Sequence, residues 1–126
     1  MKARELQIGD LLYYKGKFNA FPFKVESITK KKVGYHAEPN DHRMYYLELS
    51  DCEPILLTPE ILEDNGFTKE LDADGLHYRF TLIDEHTKFS ILYARSVFQW
   101  FSPLGFKYVH ELQHALRLCG IKKEIM

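Results

Sequence analysis

The step from Ile55-Leu56-Leu57 into Thr58-Pro59 divides this sequence into two kinds of periodicity, and that change limits the fold more than any other feature. Before it, short β-favouring runs are cut by turn residues at intervals of roughly 8 to 12 positions. LLYY (11–14) ends at KGK, FPFKVESIT (21–29) at KKK, VGYHA (33–37) at EPNDHR and MYYLEL (44–49) at SDCEP. Strands this short must pair with neighbours to satisfy their backbone, and turns this dense force the pairing to be antiparallel. Residues 1–57 are therefore expected to form an SH3-like small β-barrel or a curled antiparallel sheet, entered through a turn at Gly9-Asp10. Alternation within 21–29 sets Val25, Ser27 and Thr29 on one face against Glu26 and Ile28.

After the divide the period lengthens. Thr58 is a good N-cap, Pro59 suits the first helical position, Glu60 favours the positive end of the helix dipole, and Gly66 supplies a left-handed stop. These signals predict a short helix over 59–65, with Phe67 folding back onto Leu62. DADG then turns the chain into LHYRFTLI (76–83), where Tyr78, Phe80 and Leu82 alternate with His77, Arg79 and Thr81. KFSILYARS (88–96) puts Phe89, Ile91 and Tyr93 on one face, and VFQWF (97–101) is a candidate third strand carrying Trp100 as core or interface anchor. Pro103 and Gly105 are expected to break the chain before a final helix. There Tyr108, Val109, Leu112, Ala115, Leu116 and Cys119 fall at helical spacing, and Gly120 stops it with Ile121 folding back onto Leu116. The expected fold class is α+β within a single domain, 1–126, comprising a barrel-like half (1–57) and an α-β-β-(β)-α half (58–126).

A chain of 126 residues that is 45% hydrophobic can bury a sizeable core. Its net charge of −1 gives no global pull toward nucleic acid or an anionic membrane. Charge is nonetheless segregated: +5 over residues 1–37, −10 over 38–87 and +4 over 88–126. No stretch approaches the roughly 18 apolar residues of a membrane span, and the start lacks an apolar leader. The expectation is a cytoplasmic protein with no membrane partner. Cys52 and Cys119, far apart and outside any C-x-x-C, are expected reduced and buried.

His110, Glu111 and His114 in YVHELQHALRLCG spell H-E-x-x-H, in which two imidazoles one helical turn apart grip zinc and the glutamate acts as base on bound water. Catalytic zinc needs a third ligand, and the extended motif would place Gly at 117 and His at 120, where this chain has Arg117 and Gly120. A third ligand would have to come from upstream, from His36, His42, His77, His86 or an acidic residue. With Leu112 at the centre of the apolar stripe, both histidines fall about 160° away, on the face opposite the core. The zinc-hydrolase alternative thus rests on His110 and His114 as ligands and Glu111 as base, and the favoured expectation is an outward polar face with no metal.

No phosphate-binding glycine loop, nucleophile elbow or cofactor motif is present, so no cofactor is expected. His36, Glu38, Asp41 and His42 share a polar loop, and DEHT (84–87) is a hairpin tip. A basic, aromatic face is the remaining candidate: Tyr13, Tyr14, Lys15, Lys17, Lys24, Lys30, Lys31 and Lys32, interleaved with Phe18, Phe21 and Phe23, have the composition on which single strands stack. The competing reading makes the lysines guards of turns and edges, with the aromatics in the core.

Three segments, ELQIGDLLYYKGK, EPILLTPEILEDNGF and KYVHELQHAL, carry a resemblance. Together and in this order they resemble a group of short uncharacterised proteins encoded by gut bacteria and their phages or mobile elements. Those sequences open on E-L-x-I-G-[ND], pass through P-I-x-L-T-x-x-[IW]-L-x-x-[NF]-G-F and close on [KR]-Y-V-H-x-L-Q. The resemblance implies no activity, and it implies that Glu111 and His114 are local variation, since the closing helix there often reads V-H-x-L-Q-N. Taken together, the residues point to a non-enzymatic binding or accessory protein whose first-choice partner is another protein, with nucleic acid as the alternative.

Overall fold

The computed structural model describes residues 1–17, 19–38, 40–85, 87–94, 97–101 and 104–125. Phe18, His86 and Pro103 lie outside them, as does the side chain of Trp100. The fold is α+β, with three small antiparallel sheets and two helices. It divides into two compact units, Met1–Ile55 and Leu56–Met126. No helix among the described residues is long and apolar enough to cross a membrane.

Unit 1 contains β1 (Leu11–Lys15), β2 (Ala20–Lys24), β3 (Ser27–Ile28), β4 (Lys32–Tyr35), β5 (Tyr45–Glu48) and β6 (Cys52–Pro54). They form two three-stranded sheets, β2-β1-β6 and β3-β4-β5, and do not close into a barrel. Only Val25 and Glu26 separate β2 from β3. Val25 still pairs on the β1 side, donating its N–H to Asp10 O at 2.8 Å and accepting from Gly9 N–H at 2.7 Å, while Glu26 N–H already donates to Gly34 O at 2.8 Å. The ribbon thus bends out of one sheet into the other at this point. The bend also breaks the expected alternation: Val25 is fully buried and Ile28 packs on the same core.

The turn entering β1 follows its sequence. Gly9 takes a positive φ of 93°, and the buried Asp10 carboxylate accepts from Gln7 N–H at 2.8 Å. At the other end a single 3₁₀ turn, Leu49–Asp51, brings the chain back so that β6 pairs with β1 through Leu12↔Pro54 and Tyr14↔Cys52. Residues from both sheets then share one core: Leu6, Leu12, Phe23, Val25, Val33, Leu49 and Cys52. β6 was expected as a turn. Its CEP sequence has no strand preference of its own, and the pairing with β1 imposes it.

Unit 2 opens with α1 (Pro59–Asp64), capped by Thr58 Oγ1 accepting from Ile61 N–H at 3.3 Å. It ends as expected, with Gly66 at φ 88° and Phe67 N–H donating to Leu62 O at 3.0 Å, both side chains buried. A five-stranded antiparallel meander follows: β7 (Thr68–Leu71), β8 (Tyr78–Asp84), β9 (Thr87–Ala94), β10 (Val97–Phe101) and β11 (Leu104–Phe106). β8 and β9 pair Phe80 with Ile91 and Leu82 with Phe89, so one face is continuous and apolar, while Thr81 and Ser90 bond hydroxyl to hydroxyl at 3.2 Å on the other. The chain does not break at Gly105. This glycine sits within β11, where a Cβ would meet Phe98 O at 2.9 Å, so the residue serves close strand approach rather than a stop.

α2 (Val109–Leu118) closes the unit and ends on Gly120 at φ 75°, with Ile121 N–H donating to Leu116 O at 2.9 Å. Val109, Leu112, Ala115 and Leu116 are buried as the stripe predicts. Cys119 is exposed instead, because the helix stops at Leu118 and the glycine turn delivers Ile121, not the cysteine, to the core.

Candidate functional site

Two features of the H-E-x-x-H segment depart from the sequence expectation. His110 is buried, only 7% exposed, and Gln113 is buried beside it. On the helical wheel the covered arc runs from Ala115 through Leu112 to His110, about 220° in all, and its centre lies between Leu116 and Val109 rather than at Leu112. The His110 ring therefore lies at the edge of the covered arc, stacked on Tyr108 at a centroid distance of 5.8 Å and meeting His114 edge-on at 5.6 Å.

Glu111 has a different task from the one the motif suggests. One of its carboxylate oxygens accepts from Tyr108 N–H at 2.9 Å and from Lys107 N–H at 3.0 Å. This is the N3 glutamate of a capping box, reaching back to satisfy backbone donors that the helix start leaves open. A carboxylate so engaged is a poor base for a metal-bound water. Among the described residues no group of three His, Cys, Asp or Glu is placed to hold a metal ion. The motif is accounted for by a helix cap and an aromatic packing cluster.

The residues proposed for a basic aromatic face are not brought together as one surface. Tyr14 turns inward against the unit 1 core, its ring 5.2 Å from Phe21 and lying over Gly16. Tyr13 is half-buried on the opposite face of β1. Three of the lysines stand beside glutamates: Lys15 with Glu53 at 3.7 Å, Lys24 with Glu26 at 4.0 Å and Lys32 with Glu48 at 3.6 Å. Exposed pairs of this kind contribute at most about 1 kcal/mol each, so they cancel local charge more than they hold the fold. Lys17 is exposed past the end of β1, and Lys30 and Lys31 project at the β3–β4 turn. Lys30 also borders a depression of about 360 Å³ with Lys2 and Arg4, floored by Ala3 and Leu49.

The polar loops are local devices. His36 bonds Arg43 O through Nδ1 at 2.8 Å, and Asp41 accepts from Arg43 N–H at 2.9 Å. His42 is exposed. At the β7–β8 turn, Asp74 accepts from Leu76 N–H and His77 N–H and pairs with the His77 ring, and these bonds, the Leu76 amide first, hold its carboxyl down at about 2.

One recess is announced by no motif. A cleft of about 580 Å³ opens in unit 2 between the extended Leu56–Pro59 segment and the β10–β11 side of the sheet. Tyr93, Phe98 and Phe106 line it from the sheet, Leu56, Leu57 and Pro59 from the segment, and Lys107 is the sole charged residue among the described residues that line it. Leu57 N–H donates to Lys107 O at 2.9 Å, and Leu56 pairs with Tyr108 as an isolated bridge, which anchors the segment at one end. Leu56 and Val97 remain 55% and 45% exposed at the lips. This size and lining are those of a binding pocket. Sequence reading missed it because its two walls, 56–59 and 93–107, lie far apart in the chain. The adjacent hydrophobics Leu56-Leu57, unprotected by any turn residue, were the only local hint.

Comparison with known proteins adds no assignment: no family model, no curated protein and no solved structure matches this chain.

Proposed function

We propose that the chain is a non-enzymatic binding protein that recognises another protein through the apolar cleft of unit 2. The observation that carries this reading is the cleft itself, with two large aliphatic side chains standing open at its mouth. With about half of each side chain still in water, Leu56 and Val97 forgo burial of about 1 kcal/mol each, a cost that a partner's surface recovers. The strand path of unit 1 supports an SH3-like module: one ribbon bent across two sheets, and a 3₁₀ turn returning the last strand to the first. Free thiols at Cys52 and Cys119 support a reducing, cytoplasmic setting. The resemblance to mobile-element proteins supports an accessory or host-modulating role.

Photo-crosslinking tests the reading. A photoreactive residue at Val97 should give a discrete protein adduct in lysate of the source cells, lost on Leu56→Glu, whereas one at the exposed Ile83 should not. Equal labelling at both positions would remove the cleft from consideration.

A second reading, nucleic-acid binding by unit 1, is favoured by the depression that Lys2, Arg4 and Lys30 border. It requires affinity for a single-stranded oligonucleotide that falls steeply with salt; salt-independent binding rules it out.

A further inference from the structure

The strand register of unit 2 aligns one residue from each of its five strands in a single row. Leu71 pairs with Tyr78, Tyr78 with Tyr93, Tyr93 with Phe98 and Phe98 with Phe106. Directly paired residues share a face, so all five side chains stand on the same side of the sheet. The neighbouring pairs on that side, Phe80↔Ile91 and Leu82↔Phe89, are buried. This row opens toward β7: Phe98 is still buried at 3%, Tyr93 and Phe106 are half-buried, and Tyr78 is 41% and Leu71 59% exposed. The row therefore leaves the cleft, whose lining includes Tyr93, Phe98 and Phe106, and runs into the open toward β7.

Charge marks both ends. Lys69 Nζ sits 4.3 Å from the Tyr78 ring centre at the open end, and Lys107 lies at the cleft. Among the described residues, no Asp or Glu belongs to the row or the cleft lining. Glu111, nearest to Lys107 in the chain, has its carboxylate committed to the α2 backbone. The two sheet edges also differ. β7 is guarded by Lys69 and Glu70, whereas β11, Leu-Gly-Phe, carries no charge beside the cleft. Four inter-strand steps of about 4.8 Å make a strip roughly 19 Å long, the span of about six extended residues.

We infer that this row binds an extended peptide segment of a partner protein, with an apolar side chain in the cleft and acidic residues meeting Lys69 and Lys107. The inference rests on the protein-binding reading above and adds the chemistry of the partner. A peptide fits better than a single-stranded nucleic acid because unit 2 carries eight Lys/Arg against ten Asp/Glu, the wrong balance for a phosphate backbone.

Panning the full chain against a random twelve-residue peptide library tests it. Enriched peptides should carry Asp or Glu on both sides of a large apolar residue. A synthetic copy of the commonest should bind about tenfold more weakly to the Lys69→Glu/Lys107→Glu double variant and to Leu56→Glu. All three positions are exposed, so the substitutions leave the fold intact, and circular dichroism of each variant checks this. Enriched peptides without acidic residues, or indifferent to the double variant yet blocked by Leu56→Glu, overturn the acidic-segment inference and leave the cleft reading standing. Failure to enrich, or indifference to Leu56→Glu, overturns both. Displacement of the peptide by oligo(dT) of twelve nucleotides reassigns the strip to single-stranded nucleic acid.

Discussion

Each unit gathers its aromatic residues into a series that runs from a buried ring to an exposed one, and the two series are built differently. In unit 1, Tyr14, Phe21, Phe23, Tyr35 and Tyr45 form a chain of ring contacts with centroids 5.2 to 6.3 Å apart. They come from strands of two sheets that share a core: Phe23 is buried, Tyr14, Phe21 and Tyr35 are half-buried, and Tyr45 at the end of the series is 38% exposed. In unit 2 the row from Tyr78 to Phe106 lies on one sheet and runs from Phe98 at 3% exposed to Tyr78 at 41%. An aromatic residue is hidden by what faces it, not by what flanks it. The largest test of this contrast is Phe23→Ala, which removes a ring that is 5% exposed at the centre of the unit 1 series. Its expected cost is about 3–5 kcal/mol in chemical denaturation; a loss below about 1 kcal/mol would mean that Phe23 is no better covered than Tyr78 at the open end of the unit 2 row.

The two cysteines repeat the contrast. Burial, and then the charge of Asp51, push the Cys52 thiol from 9.0 up to about 11, and its Sγ–H donates to Glu48 O at 3.5 Å, whereas Cys119 is exposed. At pH 8 a disulfide reagent should therefore titrate Cys119 at once and Cys52 only as unit 1 opens, with rates apart by orders of magnitude. The same shift has a sign for stability. The folded chain holds this proton more tightly than the unfolded chain, so stability is whole below pH 9 and falls as pH rises through 11. Tyr35, raised by desolvation and then by Tyr45 and Tyr14, acts in the same direction. Melting temperatures from pH 8 to 11 should show the fall, and Cys52→Ala should flatten it.

How far the sequence was legible depends on the range of the interaction. Both helices could be read because their signals are local: Thr58 and Pro59 start one, and Gly66 and Gly120 end the two with the same backbone bond. β1, β2, β4, β5, β8 and β9 could be read from aromatic and branched residues. β6 and β7 could not, since CEP and TKEL have no preference of their own and exist as strands through β1 and β8. The burial of His110 was hidden because a wheel shows a helix's apolar stripe but not how far its surroundings wrap around it. The cleft was hidden for a stronger reason, being a space between segments distant in the chain. Of the row, Tyr78 and Tyr93 were on the page as face residues; their alignment with Phe98, Phe106 and Leu71 required the register.

Glu111 sharpens the comparison from the helix side. In the zinc reading its loss would abolish activity and leave the fold alone. As a cap it should do neither more nor less than a cap does: Glu111→Ala is expected to lower stability by about 1 kcal/mol, measured by urea denaturation. Glu111→Gln, which keeps a side-chain oxygen to accept from the Tyr108 and Lys107 amides, should recover most of it. Equal losses in the two variants would count against the cap.

The smallest expected effect is the most discriminating. Tyr78 touches Lys69 through its ring and pairs with Leu71 and Tyr93, yet it is open to solvent. An exposed cation–π contact and a cross-strand pair are worth only some tenths of a kcal/mol each, so Tyr78→Ser should cost about 0.5 kcal/mol, an order of magnitude below Phe23→Ala. A residue that costs so little to remove has little structural reason to be a tyrosine. If the measured loss instead approaches 3 kcal/mol, the ring is a core residue in solution, and the open row, with the peptide inferred to lie on it, has no place on this sheet. If the loss is small while peptide affinity falls with it, the exposure is there to be covered by a partner.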